Sequence, residues 1–509
     1  MVEQKKFRPC TLLALLLCTG AHLFGQVDSA ALRYAAGITM EELREHLTVL
    51  ASDAFLGRDT GKEGQKMAAA YLKDQFVRAG IPPVRSPDPT QITEGYYQPY
   101  ELVEEQAGSI SLETINDTLT YPKELIYFNE VLGTDVLVTE VIYLGAADRV
   151  PKWPLTGKVV LVDAAGMGSG AAVLGPLRTR LDGVRAAGAA VILVSVPSLE
   201  DLAKEVHLPS TSVRLPEPGK GPQRTTSGSQ TILMEQASID ALLGKTSVQK
   251  LARKQKQRAI PLTCTLRTKS ASKKLIAENV LAFIEGSDKK EEIVILTAHY
   301  DHIGVENGVV YNGADDDGSG TVALIEIAQA FAKAKAEGHG PRRSILVMPV
   351  SGEEKGLLGS RYYSEHPVFP LDNTVADLNI DMIGRVDSAH ATSAPYVYVI
   401  GSDRLSTQLH AANEQANAAY TKLILDYQFN AESDPNRFYY RSDHYNFARK
   451  GVPSIFYFSG VHEDYHQPGD DVEKIRFDLL QQRAKLVFHT AWIIANQEQR
   501  LIVDKPLRP

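Results

Sequence analysis

The sequence predicts an α/β protein, a mixed, mainly parallel sheet sandwiched by helices and interrupted by an inserted, mostly β domain. Three observations carry this. From Ile293 onward, apolar strands alternate with amphipathic helical stretches, as in a sheet covered by helices. Between about residues 97 and 268, short β-branched runs are separated by Pro- and Gly-rich breaks, which is a β texture. The 509 residues leave room for roughly two to four domains.

Taken in order, Lys5, Lys6 and Arg8 precede a short apolar run at 12–17, and small or polar residues follow at 20–26. This is the order of a secretory signal, and cleavage is expected near Gly25. The run is too short to span a membrane, so an exported protein, periplasmic or secreted, is expected. Bulky Leu17 argues against lipid attachment at Cys18. With Cys10 and Cys18 inside the signal, only Cys264 of three cysteines remains, which allows no internal disulfide.

Residues 39–80 carry Leu43, Leu47 and Leu50, then Met67, Ala70, Tyr71, Leu72 and Phe76, at helical spacing around a Gly-rich turn at 57–64. Two helices joined by a loop are expected. The middle stretch offers strands at 136–143, 158–163 and 190–196. The last part predicts strands at 293–298, 345–350, 375–380, 396–400 and 455–458, with helices from Ser319, near Ser360, near Leu405 and from Phe477.

Composition narrows the function. Lys plus Arg number 54 against 62 Asp plus Glu, a net charge of −8, which supplies none of the counterion-release affinity of nucleic-acid binders. No apolar run reaches the roughly 20 residues of a membrane-spanning helix.

In open α/β sheets, ligands bind beyond the carboxyl ends of the strands. His299 and Asp301 follow the strand at 293–298, Glu353 and Glu354 that at 345–350, and Asp381 that at 375–380. His466 follows the strand at 455–458 after a loop. Asp315, Asp316 and Asp317 lie just before the helix from Ser319 and open onto the same rim. So many acids beside two histidines would repel one another unless cations held them. The donor set suits two divalent metals, zinc first, with manganese or cobalt accommodated by the same donors.

Thr297-Ala-His-Tyr-Asp-His302, Asn312-Gly-Ala-Asp-Asp-Asp-Gly-Ser-Gly320, Ser351-Gly-Glu-Glu-Lys-Gly-Leu-Leu-Gly-Ser360, Asn379-Ile-Asp-Met382 and Asp464-Tyr-His466 resemble, in order, the metal-site segments of the M28 zinc aminopeptidases. The resemblance covers about 274–496. Residues 39–82, with Leu-Ala-Ser-Asp and Gly57-Arg-Asp-Thr-Gly61, resemble the lead-in helices of the same domain. Gly157-Lys-Val-Val-Leu-Val-Asp163 and Arg185-Ala-Ala-Gly-Ala-Ala-Val-Ile-Leu-Val194 are similar to a protease-associated domain. The implied organisation is a signal at 1–25, a first part of the catalytic domain at 27–115, an insert at 116–268 and the main part at 269–509.

Residue by residue, the resemblance implies that Asp315 bridges two zinc ions. His299 and Asp381 would complete one site, Glu354 and His466 the other. Glu353 would be the general base, taking a proton from a water between the cations and passing it to the leaving amine. Asp301 would fix the second nitrogen of His299, and Asp470 is a further candidate for holding a ligand. Tyr465 matches a position where some relatives supply a phenol to the oxyanion, with Tyr439 as the competitor. His302, Asp443 and His444 are expected to support the site rather than to bind metal.

His462-Glu-Asp-Tyr-His466 fits H-E-x-x-H, a zinc motif that needs a helix. Ser459-Gly460 before it and Pro468-Gly469 after it predict a loop. Gly166-Met-Gly-Ser-Gly-Ala171 mimics a dinucleotide fingerprint, but the next strand ends without a ribose-binding acid, so a loop is expected there as well. No G-x-S-x-G elbow occurs.

The implied activity is that of an exopeptidase on peptide substrates, an aminopeptidase in the first reading. A carboxypeptidase of the same architecture would need a cation for the terminal carboxylate, and Arg385, Arg437 and Arg441 lie near the motifs. A receptor-like binding module is the reading from another class, but it should have lost ligands that this sequence retains.

Overall fold

The computed structural model describes residues 27–85, 95–128, 135–149, 154–168, 170–200, 202, 212–216, 229–254, 257–393 and 395–506. The expected signal lies outside them. Among the described residues no helix is long and apolar enough to cross a membrane.

One sheet has seven strands: β1 (Ala282–Ile284), β2 (Lys289–His299), β3 (Arg343–Val350), β4 (Thr374–Ile380), β5 (Tyr396–Ile400), β6 (Ile424–Asp426) and β7 (Ser454–Phe458). Their order is β1-β3-β2-β4-β7-β5-β6. The central strands β3, β2, β4 and β7 run parallel. At the edges β1 is antiparallel to β3 and β5 to β7, while β6 runs parallel to β5. The mixed, mainly parallel sheet is therefore as expected.

The central strands read as unbroken apolar runs because helices bury both faces. Val294, Leu296, Ile345 and Val347 pack with Leu43, Leu47, Leu324, Phe331, Leu480 and Phe488, from helices Met40–Leu50, Gly320–Ala336 and Phe477–Asn496. Their alternates Ile293, Ile295, Leu346 and Met348 pack with Tyr363 and Phe447, from helices Leu358–Glu365 and His444–Ala448. Helix Met40–Leu50 starts where it does because Thr39 caps it: Thr39 Oγ1 accepts from Glu42 N at 3.2 Å and donates to the Glu42 carboxylate at 3.0 Å, a side-chain N-cap. A third lead-in helix, Ser29–Ala35, precedes it.

The middle stretch builds its own nine-stranded sheet. Strands Tyr97–Glu113 and Arg258–Val280 pair antiparallel from Tyr97↔Val280 to Glu113↔Thr265, so the chain leaves and returns side by side. Strands Val136–Gly145, Val159–Asp163, Val191–Val196 and Gln230–Glu235 then run parallel. Helix Leu174–Ala186 covers one face of this sheet through Leu177, Leu181 and Val184, and helices Gln236–Leu243 and Val248–Lys254 cover the other. The module thus holds more helix than the β texture predicted: Leu174–Ala186 crosses between the parallel strands Val159–Asp163 and Val191–Val196, and the other two helices precede the return strand. The Gly-rich stretch after Asp163 is a loop and a short turn, as expected.

Where the returning pair reaches the first sheet, Tyr100 Oη donates to Ser351 O at 2.8 Å. Lys62 pairs with Glu104 and Lys66 with Glu278.

Candidate metal centre

The carboxyl ends of the four parallel strands converge. His299 is the last residue of β2, Glu353 and Glu354 follow β3, Asp381 follows β4, and the loop after β7 carries Tyr465 and His466. This convergence puts residues more than 160 positions apart around one cavity, whose wall includes His299, Asp316, Glu353, Asp381, Tyr465 and His466.

Asp316 occupies the centre. Its Oδ1 lies 3.2 Å from His299 Nε2 and its Oδ2 lies 3.1 Å from His466 Nε2. On the His299 side, Asp381 Oδ1 is 3.7 Å from His299 Nε2. On the other side, Glu354 Oε2 is 3.2 Å from His466 Nε2, and Glu354 Oε1 is 2.8 Å from His302 Nδ1. His299, His302, Asp316 and Asp381 are buried; Glu354 is part-buried and His466 is half-buried at the rim.

The residue set between His299 and His466, where the expected bridging role would lie, is Asp316 and not Asp315. The acidic run is not helical in φ/ψ at Asp316 and Asp317, and each carboxylate turns its own way. Asp315 Oδ1 accepts from Gly384 N at 2.6 Å, and its Oδ2 is 3.3 Å from His462 Nε2. Asp317 Oδ1 accepts from the backbone of Gly320 and Met382 at 2.9 and 3.0 Å, while its Oδ2 accepts from His299 N at 3.1 Å. Asp317 also lies among His299 and Asp381 in a group of convergent donors. Three backbone N–H groups already use its oxygens, so it ties the loop to β2 and β4.

Asp301 acts on His299 in a different way from the one expected. The atom that meets His299 Nδ1 is the backbone carbonyl of Asp301, at 3.1 Å, whereas its carboxylate is 3.8 Å away. The carboxylate instead accepts from Thr60 Oγ1 at 2.6 Å and from Glu353 N at 3.3 Å, fixing the backbone of the candidate base.

Arg58, Thr60, Ser360 and Ser442 also support the site and were not read from the sequence, whereas Asp443 and His444 were expected near it. Arg58, buried, donates to the carbonyls of Tyr300, Leu50, Asn312 and Gly313 at 2.7–2.9 Å. It fastens the lead-in segment to both metal-site loops. The signal was present in Gly57-Arg-Asp-Thr-Gly61, where an arginine and a threonine stand within a Gly-rich turn. Ser442 Oγ donates to Asp381 Oδ2 at 2.6 Å. Ser360 Oγ donates to the Asp443 carboxylate, which burial pushes up to about 7. Buried His444 stacks on Phe456, and burial pushes its ring down to about 3.

The segment His462–His466 is a turn, not a helix. Its histidines face different carboxylates, His462 that of Asp315 and His466 those of Asp316 and Glu354. Tyr465 stacks on His466, ring centroids 3.9 Å apart, and lines the cavity. Tyr439 is buried instead, packed by Arg404 and His444.

The electrostatics ask for positive charge. Burial opposes a charged ring at His466, yet Asp316 and Glu354 push it up to about 10. Burial, with Glu354 and Asp381 adding to it against the pull of His299, holds the Glu353 carboxyl well above the usual range. His299 Nε2, Asp316 Oδ2 and Glu354 Oε1 are buried and take no well-directed hydrogen bond among the described residues. Convergent imidazole nitrogens and carboxylate oxygens of this kind fit divalent cations.

Fold and site together give an α/β chain whose imidazoles and carboxylates converge at the carboxyl edge of its sheet. Residues 279–491 match the model of peptidase family M28. A protein of Arthroderma otae described as a probable leucine aminopeptidase is 30% identical over 224 residues, 43% of this chain and 57% of that one. One of Pyrenophora tritici-repentis described as a probable zinc metalloprotease is 29% identical over 260 residues, 43% of this chain and 51% of that one. The chain spans about half the length of the curated relatives it matches. The aminopeptidase from Aneurinibacillus sp. strain AM-1 superposes over 94% of this chain and 100% of that one, with a TM-score of 0.55 at 19% identity, a likeness of fold.

Proposed function

We propose that the protein is a dizinc aminopeptidase that removes N-terminal residues from peptides. The observation that carries this is the placing of Asp316 between His299 and His466, with Asp381 and Glu354 flanking the two imidazoles and Glu353 on the same cavity wall. His299 and Asp381 would hold one zinc, Glu354 and His466 the other, and Asp316 both. When bound, the cations supply the charge that acidifies a water and polarises the peptide carbonyl.

The chain's own residues do the rest. Glu353, kept off the ligand set and fixed at its backbone by Asp301, takes the proton of the attacking water and returns it to the leaving amine. Tyr465 offers its hydroxyl to the developing oxyanion. His299 is held in one tautomer by the carbonyl of Asp301.

The same reading takes residues 1–25 as an export signal and the middle sheet as an inserted module, similar to a protease-associated domain, whose division from the catalytic part falls along the paired strands rather than at a loop.

Metal analysis of purified protein and a pair of leucyl anilides, one with its amine free and one acetylated, test the proposal. About two zinc per chain and cleavage of the free-amine substrate alone are expected. Glu353→Gln should keep both metals and lose about 10²- to 10⁴-fold in turnover. Full activity in that variant would overturn the base.

A further inference from the structure

We propose that Arg441 reads a carboxylate on the substrate, carried either by an acidic N-terminal side chain or by the free C-terminus of a dipeptide. The inference rests on the peptidase reading and specifies its substrates.

Three arginines lie near the motifs, and the structure separates them. Arg385 is buried and already serves Asp464 at 3.0 Å, with Asp470 at 3.9 Å. Arg437 stacks over Tyr440 and is not among the residues lining the cavity. Arg441 lines it, together with His299, Glu353 and Asp381. Its Nη2 lies 3.4 Å from Tyr465 Oη, and its Cζ sits 5.0 Å from the Phe438 ring centroid. These contacts orient the guanidinium without neutralising it.

Such a fork, exposed yet braced by an aromatic face, is suited to two parallel hydrogen bonds to a carboxylate. The rest of that wall, Met382, Phe438, Phe456 and Phe458, is apolar and offers an anion no competing partner. The negative side chains of the cavity cluster with His299 and His466, so Arg441 is the lining residue away from that cluster that can attract an anionic group. A carboxylate that reaches it from a peptide bond placed at the metals belongs to a residue flanking that bond.

The test compares Glu-Ala-amide with Gln-Ala-amide and Leu-Ala with Leu-Ala-amide, on zinc-loaded wild type, Arg441→Gln and Arg441→Lys. Wild type should prefer the carboxylate member of at least one pair by about 10- to 100-fold, mostly through KM. The pair showing it identifies the source. Arg441→Gln should bring that ratio close to one, and Arg441→Lys should restore part of it. Ratios near one for both pairs in wild type, or a preference that survives Arg441→Gln, would overturn the proposal. Should wild type cleave none of the four, the peptidase reading fails by itself. Calorimetric binding of free glutamate to wild type and to Arg441→Gln then decides on Arg441, equal affinities in the two proteins refuting it.

Discussion

Asp470 Oδ2 lies 3.0 Å from the backbone nitrogen of Asp316 and accepts its N–H, along with that of Asp315. The carboxylate that would bridge the cations is thus aimed by another carboxylate 154 residues away in sequence. Asp470→Asn keeps the shape and weakens the acceptor. Support of this type typically carries 10- to 100-fold in metal affinity, so chelator competition should show a loss of about that size.

The three aspartates of the run are chemically alike and separable by experiment. Asp316→Asn should abolish binding of both cations, measured by metal content after dialysis. Asp315→Asn should keep the metals and lower unfolding stability by about 1–3 kcal/mol, because it weakens the acceptor for Gly384 N. The reverse result would return the bridge to Asp315.

Tyr465→Phe should cost about 10²- to 10³-fold in turnover, with metal content unchanged, if its hydroxyl meets the oxyanion. Tyr439→Phe, on a ring packed away from the cavity, should stay within a few-fold. Steady-state kinetics on one free-amine anilide compares the two directly.

Arg58→Met leaves four carbonyls of three separate segments without their donor. A loss of about 3–5 kcal/mol in denaturant unfolding is expected, larger than for any exposed arginine.

His489, in helix Phe477–Asn496, is buried and stacked on Tyr420 at 3.8 Å. Burial pushes its ring down to about 4, with Lys485 adding to the effect. The folded chain therefore holds a neutral ring that the unfolded chain protonates below about pH 6.5. Its contribution is complete above that pH and is lost as pH falls toward 4, on the order of 3 kcal/mol. His489→Phe should flatten stability against pH over that window. An unchanged slope would assign the acid sensitivity elsewhere.

Much of this was legible because the physics is local. Unbroken apolar runs marked β2, β3, β4 and β7, and a parallel sheet then fixes which end its loops share, so His299, Glu353, Glu354, Asp381 and His466 could be brought together from order alone. Register inside Asp315-Asp-Asp317 could not. Three identical side chains on a non-helical turn are aimed by Gly384, Asp470 and the backbone of β2 and β4, all distant in sequence. The role of Asp301 was missed for a similar reason, since spacing cannot tell a side-chain oxygen from a main-chain one. Arg58 and Thr60 stood in view within a Gly-rich turn, but their partners lie across the sheet. The helices of the middle module escaped notice because each buries only two or three apolar side chains.

Because strands Tyr97–Glu113 and Arg258–Val280 run out and back as neighbours, the chain of the first sheet could be closed there by a short hairpin. The intervening sheet is therefore built on its own pair of strands, and trimming or replacing it would leave the strands that carry His299, Glu353 and Asp381 in place. The root of that sheet at Tyr100 and Ser351 nonetheless sits two residues from Glu353, so whatever docks on the sheet has a short mechanical route to the chemistry.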